Sequence, residues 1–295
     1  MLSIDKATQI DIDRVAHLLA DAARVQTLRL FRVEGLMADN KATADALFDP
    51  VTKADHAAEA AMRAILNIER PDDGIVGEEM GTTSGTSGLT WVLDPIDGTR
   101  GYISGTPTWG VLIALSNAAG PQFGIIDQPY IGERFVGGFG QATLAGPHGL
   151  TQLATRTHTH LSDSILLSTF PEIGTPLERR AFEAVSSAVK LTRYGMDCYG
   201  YALVAAGQVD LVIEAGLKPY GIHAPIAVIK AAGGIVTDWQ GGAAHFGGRI
   251  IAAANADVHA DAVAALQAVI DGGRHFARCG CCSDNGRRPE QTSWC

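Results

Sequence analysis

Trp91-Val92-Leu93-Asp94-Pro95-Ile96-Asp97-Gly98-Thr99 is the stretch that decides how this chain is read. An apolar, strand-like run ends at Leu93, and two carboxylates follow, three residues apart. Pro95 fixes its own φ and is expected to force a turn, so that Asp94 and Asp97 converge rather than point to opposite faces of a strand. Gly98-Thr99 then reads as a helix start, a position whose backbone N–H groups bind anions. Hard divalent cations take oxygen ligands, carboxylates and backbone carbonyls among them. Asp94, Asp97 and the Ile96 carbonyl are therefore candidate metal ligands, and Gly98 and Thr99 a candidate phosphate seat. A bare Asp-x-x-Asp pair reads first as a turn with a capping aspartate. The surrounding run is what favours the metal.

Two polar clusters upstream bear on the same chemistry. Gly77-Glu78-Glu79 follows the strand-like Ile75-Val76. Glu78 shares a metal with Asp94 if the two strand ends lie side by side; the plainer reading is a solvated loop edge. Asp49-Pro50-Val51-Thr52-Lys53-Ala54-Asp55 reads as a helix start with Thr52 as N-cap. Asp55 is then either a first-turn acid or a carboxylate that orients a hydroxyl in the site. Lys41 lies in a polar stretch read as a solvated loop, with a lid over the metals as the alternative. Arg100 belongs either to the site entrance or to the surface.

The bulk numbers narrow the function. A chain of 295 residues can bury a large core, and 46% hydrophobic with 19% charged residues describes a globular protein. The net charge of −9 argues against a nucleic-acid binder. It also means that a phosphate substrate must be held by local positive charge, from metal ions or aligned N–H groups. No apolar run reaches the length of a membrane span, and the N-terminus lacks a basic-then-apolar signal pattern, so the expected location is cytoplasmic. Of five cysteines, only Cys198 lies in the body; Cys279, Cys281, Cys282 and Cys295 crowd the last residues. Cys-x-Cys-Cys matches zinc spacing poorly, and a floppy tail is expected over 272–295.

Periodicity predicts helices over Asp5 to Glu34, with a stripe of Ile10, Val15, Leu18, Leu19, Ala22 and Val25, and over Lys53 to Ile68. Gly81 to Gly88 reads as a loop. A meander of strands follows over Val111 to Ser116, Phe123 to Asp127 and Glu133 to Phe139. Strands and helices then alternate: a strand at Ile165 to Leu167, helices at Pro176 to Val189 and Tyr199 to Ala206, and a strand at Val209 to Glu214. A helix at Ile222 to Ala232, strands at Ile235 to Thr237 and Ile250 to Ala254, and a closing helix at Asp257 to Ile270 complete the body. The pattern predicts a layered α/β sandwich in two lobes, residues 1–147 with the metal and phosphate motifs and residues 148–271 with substrate recognition.

In this order, the three clusters resemble the inositol-monophosphatase superfamily of Mg²⁺-dependent, lithium-sensitive phosphatases, over nearly the whole body. The resemblance implies an αβαβα sandwich of the inositol-monophosphatase and fructose-bisphosphatase type. It implies Glu78, Asp94, the Ile96 carbonyl and Asp97 as ligands of two or three Mg²⁺ ions, with Mn²⁺ a substitute and Li⁺ an inhibitor. It also implies phosphate on Asp97, Gly98 and Thr99, and Thr99, Asp55 and Glu78 activating the attacking water. A homodimer and a small phosphate monoester as partner, with no nucleic acid or membrane, complete the picture. Three segments resemble the histidinol-phosphate phosphatase branch: Gly124 to Arg134, Arg193 to Tyr199 and Glu214 to Tyr220. Histidinol phosphate carries an ammonium and an imidazole, which Asp197 and Glu214 suit by charge-assisted hydrogen bonds. That reaction belongs to histidine biosynthesis. A helix N-cap for Asp197 and a strand-end acid for Glu214 are the plainer readings. An inositol-1-phosphate or broad sugar-phosphate phosphatase is the alternative within the class.

One position departs from the resemblance. Where the family carries a metal-binding aspartate, Lys218-Pro219-Tyr220-Gly221-Ile222-His223-Ala224 has Gly221. The fold is expected to survive and metal affinity to fall, because glycine offers no ligand. His223, two residues on, points elsewhere on a helix. A binding or regulatory protein on the same fold is the alternative from another class.

Overall fold

A computed structural model describes residues 4–36, 38–40, 50–157 and 160–278. The first part runs α1 (Lys6–Leu30), β1 (Ala38–Asn40), β2 (Pro50–Thr52), α2 (Lys53–Glu69), β3 (Gly74–Gly77), β4 (Gly81–Thr83), β5 (Thr90–Asp97) and α3 (Thr99–Ser104). Strands β6 (Gly110–Asn117), β7 (Gly120–Gln128), β8 (Glu133–Gly138), β9 (Gln141–Gly146) and β10 (Gly149–Gln152) continue it. Then come β11 (Ile165–Ser168), α4 (Pro176–Ser186), β12 (Leu191–Tyr194), α5 (Asp197–Ala205), β13 (Leu211–Leu217), α6 (Pro219–Ala231), β14 (Ile235–Asp238), β15 (Gly248–Ala253) and α7 (Ala256–Arg278).

These elements stack in five layers, α–β–α–β–α. An eight-stranded sheet, ordered β10-β9-β8-β7-β6-β5-β3-β4, has α1 and α2 on one face and α5 and α6 on the other. A five-stranded sheet, ordered β12-β11-β13-β15-β14, covers the far side of α5 and α6 and carries α4 and α7 outside. The period of two along each strand feeds both faces. Trp91, Leu93, Val111 and Ile113 go to α1 and α2, while Val92, Leu112 and Ala114 go to the central helices. Burial on both faces is why these strands read as continuous apolar runs. Close approach of α6 rests on Gly137, where a Cβ would run into the helix backbone at Val228.

Several elements differ from expectation. α1 buries Ile12, Val15, Ala16, Leu19, Ala20, Ala23 and Thr27. Of the predicted stripe only Val15 and Leu19 are buried, while Ile10, Leu18 and Val25 are exposed. Ala16, Ala20 and Ala23 of α1 share one core with Ala58 and Met62 of α2, and small side chains there let the two helices lie close. The Gly81 stretch is not all loop, since β4 pairs antiparallel with β3. Strand β12 has no counterpart in the sequence reading. Because β10 pairs with β9, the 147/148 boundary falls inside a hairpin and the first sheet extends to Gln152. The central helices of the second half share one core with both sheets, so the two lobes interlock. α7 runs past Gly272 to Arg278. Lys41, Asp49, Cys279, Cys281, Cys282 and Cys295 lie outside the described residues. No described helix is long and apolar enough to cross a membrane.

Candidate active site

β5 builds the centre of the site, and it does so by a bulge. The strand does not stop at Leu93 but continues to Asp97. Asp94 pairs with Leu112 and Asp97 with Gly110, so β5 takes three steps where β6 takes two. Pro95 has no N–H to give to the ladder. The extra residue turns Asp97 to the face that Asp94 already occupies. The two carboxylates converge as the sequence predicts, through a bulge instead of a turn.

β3 runs parallel to β5, which brings Glu78 out beside Asp94. The Glu78 N–H donates to the Leu93 carbonyl at 3.1 Å. Glu59, buried on α2, holds the loop that follows: it accepts from the N–H groups of Glu79 at 2.7 Å and Met80 at 3.1 Å and pairs with Arg63. Gly98 caps α3 in the left-handed region at φ 86°. A Cβ there would sit 2.7–2.9 Å from the Asp197 carboxylate. Gly98→Ala is therefore expected to cost about 2 kcal/mol of stability from strain and displacement together, read by urea unfolding, and to lower activity with it.

One pocket of about 340 Å³ gathers Glu78, Asp94, Ile96, Asp97, Gly98, Thr99 and Arg100 from the first half of the chain. Asp197, Glu214 and Gly221 join them from the second. Asp55 is the exception among the predicted site residues. Its Oδ2 closes a capping box, accepting from the N–H and hydroxyl of Thr52 at 2.8 and 2.7 Å. The Thr99 hydroxyl donates instead to the Ile96 carbonyl at 3.0 Å, so the structure does not join Asp55 to Thr99. Asp197 is not a side-chain cap of α5 either; Met196 occupies that position. The Thr108 hydroxyl donates to its carboxylate at 3.3 Å.

The pocket is rich in buried acid. Burial, then the charges of Glu78 and Asp97, pushes the Asp94 carboxyl well above its ordinary value. Burial and the Asp197 charge raise Asp97 to about 7, against the N–H of Cys198 at 2.7 Å. Burial raises Glu214 to about 7, opposed by the Thr169 hydroxyl and N–H that donate to it. Burial raises Asp55 to about 6. Arg100 and Lys218 are the basic residues lining the pocket.

Sequence reasoning missed Thr169, Phe170, Tyr201 and Tyr220, which also line it. Thr169 and Phe170 follow the end of β11, a place where parallel strands present ligand-binding residues. Tyr201 is buried, and its hydroxyl has no hydrogen-bond partner.

The inositol monophosphatase family model matches residues 11–271. The chain belongs to the inositol monophosphatase family. It is 37% identical over 279 residues to the bifunctional phosphatase IMPL2 of Arabidopsis thaliana, spanning 90% of this chain and 78% of that protein. It is 33% identical over 259 residues to a histidinol-phosphatase of Mycobacterium tuberculosis, spanning 86% and 97%. The solved structure of an inositol monophosphatase from Zymomonas mobilis matches with a TM-score of 0.77 and 39% identity, over 89% of this chain and 100% of that one.

For a phosphatase of the inositol monophosphatase family the pocket fits a hard cation. Asp94 Oδ1, in the pocket, is buried without a hydrogen-bond partner. Unsatisfied acceptors among clustered carboxylates are costly unless a cation meets them. No three Asp, Glu, His or Cys side chains among the described residues enclose a cation on their own. The donor set of Glu78, Asp94, Asp97 and the Ile96 carbonyl suits one that keeps several waters, as Mg²⁺ does. Gly221 is the third residue of α6, which starts at Pro219 instead of Ile222. A Cβ there would meet Asp97 Oδ1 at 3.7 Å and Leu217 Cδ2 at 3.8 Å, ordinary contacts. His223 does not take the aspartate's place. Its Nδ1 lies 2.8 Å from Ser116 Oγ and its Nε2 2.7 Å from the His245 carbonyl, so both ring nitrogens are engaged away from the pocket.

Proposed function

We propose that this phosphatase hydrolyses L-histidinol phosphate to L-histidinol and phosphate, with Mg²⁺ held by Glu78, Asp94, the Ile96 carbonyl and Asp97. The observation that carries the substrate is the acid that the second half of the chain brings into the pocket. Asp197 and Glu214 line the same cavity as Gly98 and Thr99. A leaving group with an ammonium and an imidazole answers those carboxylates; a polyol offers hydroxyls alone. Relatives named as histidinol-phosphatases support this choice.

When bound, Mg²⁺ would supply positive charge among the clustered carboxylates and polarise the phosphoryl oxygens. Gly98 and Thr99 direct the first N–H groups of α3 toward the phosphate. Glu78 takes the proton of the attacking water, whose oxygen bonds phosphorus in line as the bond to the histidinol oxygen breaks, and that leaving oxygen takes up a proton from solvent to give L-histidinol. Thr99, tied to the Ile96 carbonyl, orients that water. Asp55 acts at one remove, by fixing the start of α2 through Thr52. No covalent phosphoenzyme forms.

Phosphate release from L-histidinol phosphate and from inositol 1-phosphate, side by side at saturating Mg²⁺, tests the reading. The expected result is a kcat/KM at least about tenfold higher for L-histidinol phosphate. A reversed preference moves the assignment to inositol or sugar phosphates. Gly221 favours a second reading, a binding protein on this fold, and no release from either substrate at any Mg²⁺ concentration supports it.

The pH profile carries its own prediction. A carboxyl raised to about 7 is protonated below that pH and charged above it. KM for L-histidinol phosphate is expected to rise as pH falls from 8 to 6, while the substrate ammonium stays charged. Glu214→Gln removes one of the two pocket carboxyls raised to about 7, leaving Asp97: it lessens that rise and raises KM at pH 8 by about tenfold. A steady-state pH series on both proteins checks it.

A further inference from the structure

Phe170 is an aromatic group that phosphate chemistry leaves unused. It is 40% exposed, yet it faces the pocket. It follows Thr169, whose N–H and hydroxyl hold Glu214, so its place is fixed beside that carboxylate. Arg100, in the first turn of α3, lays its guanidinium 4.7 Å from the centre of the Phe170 ring. The pair joins the first half of the chain to the second across the pocket. The contact shows the ring turned with a π face toward a flat, delocalised cation. An imidazolium has the same planar, delocalised character, whereas a saturated polyol has no face to stack.

We propose that Phe170 is a specificity-determining residue. Its ring is the stacking platform for a planar, nitrogen-bearing leaving group, which takes the face that Arg100 covers in the structure. This deepens the substrate reading given above and rests on it.

The test uses Phe170→Leu, which keeps apolar bulk and removes the π face, and Phe170→Tyr, which restores it. Calorimetric binding of L-histidinol is measured with kcat and KM for L-histidinol phosphate, 4-nitrophenyl phosphate and inositol 1-phosphate. Aromatic contacts of this kind are worth about 0.5–1.5 kcal/mol beyond area, which converts to roughly two- to twelvefold. Phe170→Leu is expected to weaken L-histidinol by that factor. It should raise KM for the two planar substrates alike, with kcat within about twofold, and leave inositol 1-phosphate unmoved. Phe170→Tyr should restore the original values. An equal shift for all three phosphates, or no shift at all, overturns the platform. A wild-type preference for inositol 1-phosphate overturns the substrate reading alone, because the 4-nitrophenyl phosphate comparison still decides the platform.

Discussion

Asp94→Asn is expected to lower kcat by at least about 10³-fold while making the metal-free protein more stable. Asp94 is buried, its Oδ1 has no partner, and Glu78 and Asp97 face it. A carboxyl whose folded pKa stands above its unfolded value near 3.8 keeps a proton in the native state that the unfolded chain has released. The native state then binds more protons, so stability is fully present below the unfolded value and falls as pH rises from it. Asparagine has the same shape, never ionises and can donate to Glu78. Thermal denaturation in EDTA at pH 8 should show a melting temperature higher by about 2–4 °C, equivalent to roughly 1 kcal/mol. The gap should narrow toward pH 5. Such a group is kept because its charge is used, the usual tension between stability and activity at a site. A variant that melts lower and still releases phosphate contradicts this assignment of Asp94.

Gly221→Asp should lower the Mg²⁺ concentration for half-maximal activity by about ten- to a hundredfold, the scale on which metal-site groups act. The position can take the residue. A Cβ meets only ordinary contacts, one of them with Asp97 Oδ1, and the third residue of a helix favours an acid through the helix dipole. The added charge beside Asp97 has two opposite effects. Without metal it adds to the repulsion, and the melting temperature in EDTA should not rise. With Mg²⁺ it becomes a ligand, and the metal-induced gain in melting temperature should exceed that of the parent chain. Gly221→Asn, neutral and of the same size, should recover only a fraction of the effect. An unchanged Mg²⁺ dependence places residue 221 outside the reach of the metal.

What the sequence shows and what it hides follow from the range of the interactions involved. The Asp94-to-Thr99 run is legible because its ligands lie within one short segment. Even there, proline's loss of a ladder N–H is readable, but whether that loss ends the strand or bulges it depends on β6. Thr52 and Asp55 form a capping box, a local signature, and that local partner is the one Asp55 takes instead of Thr99. The buried face of α1 departs from the predicted stripe because isoleucine and leucine outrank alanine in hydropathy, whereas Ala16, Ala20 and Ala23 sit in the core shared with α2, beside Ile12, Val15 and Leu19. Thr169, Phe170 and Tyr201 carry no local pattern at all. Topology brings them to the pocket, from a strand end and a helix that sequence distance separates from β5.

The most direct test of the account is phosphate release from L-histidinol phosphate by the unmodified chain across a Mg²⁺ series, starting from EDTA-treated protein. The account predicts no release without added metal, and release that keeps rising at Mg²⁺ concentrations where Gly221→Asp has already saturated. Full release in the presence of EDTA, or half-saturation at the same Mg²⁺ for both proteins, would contradict it.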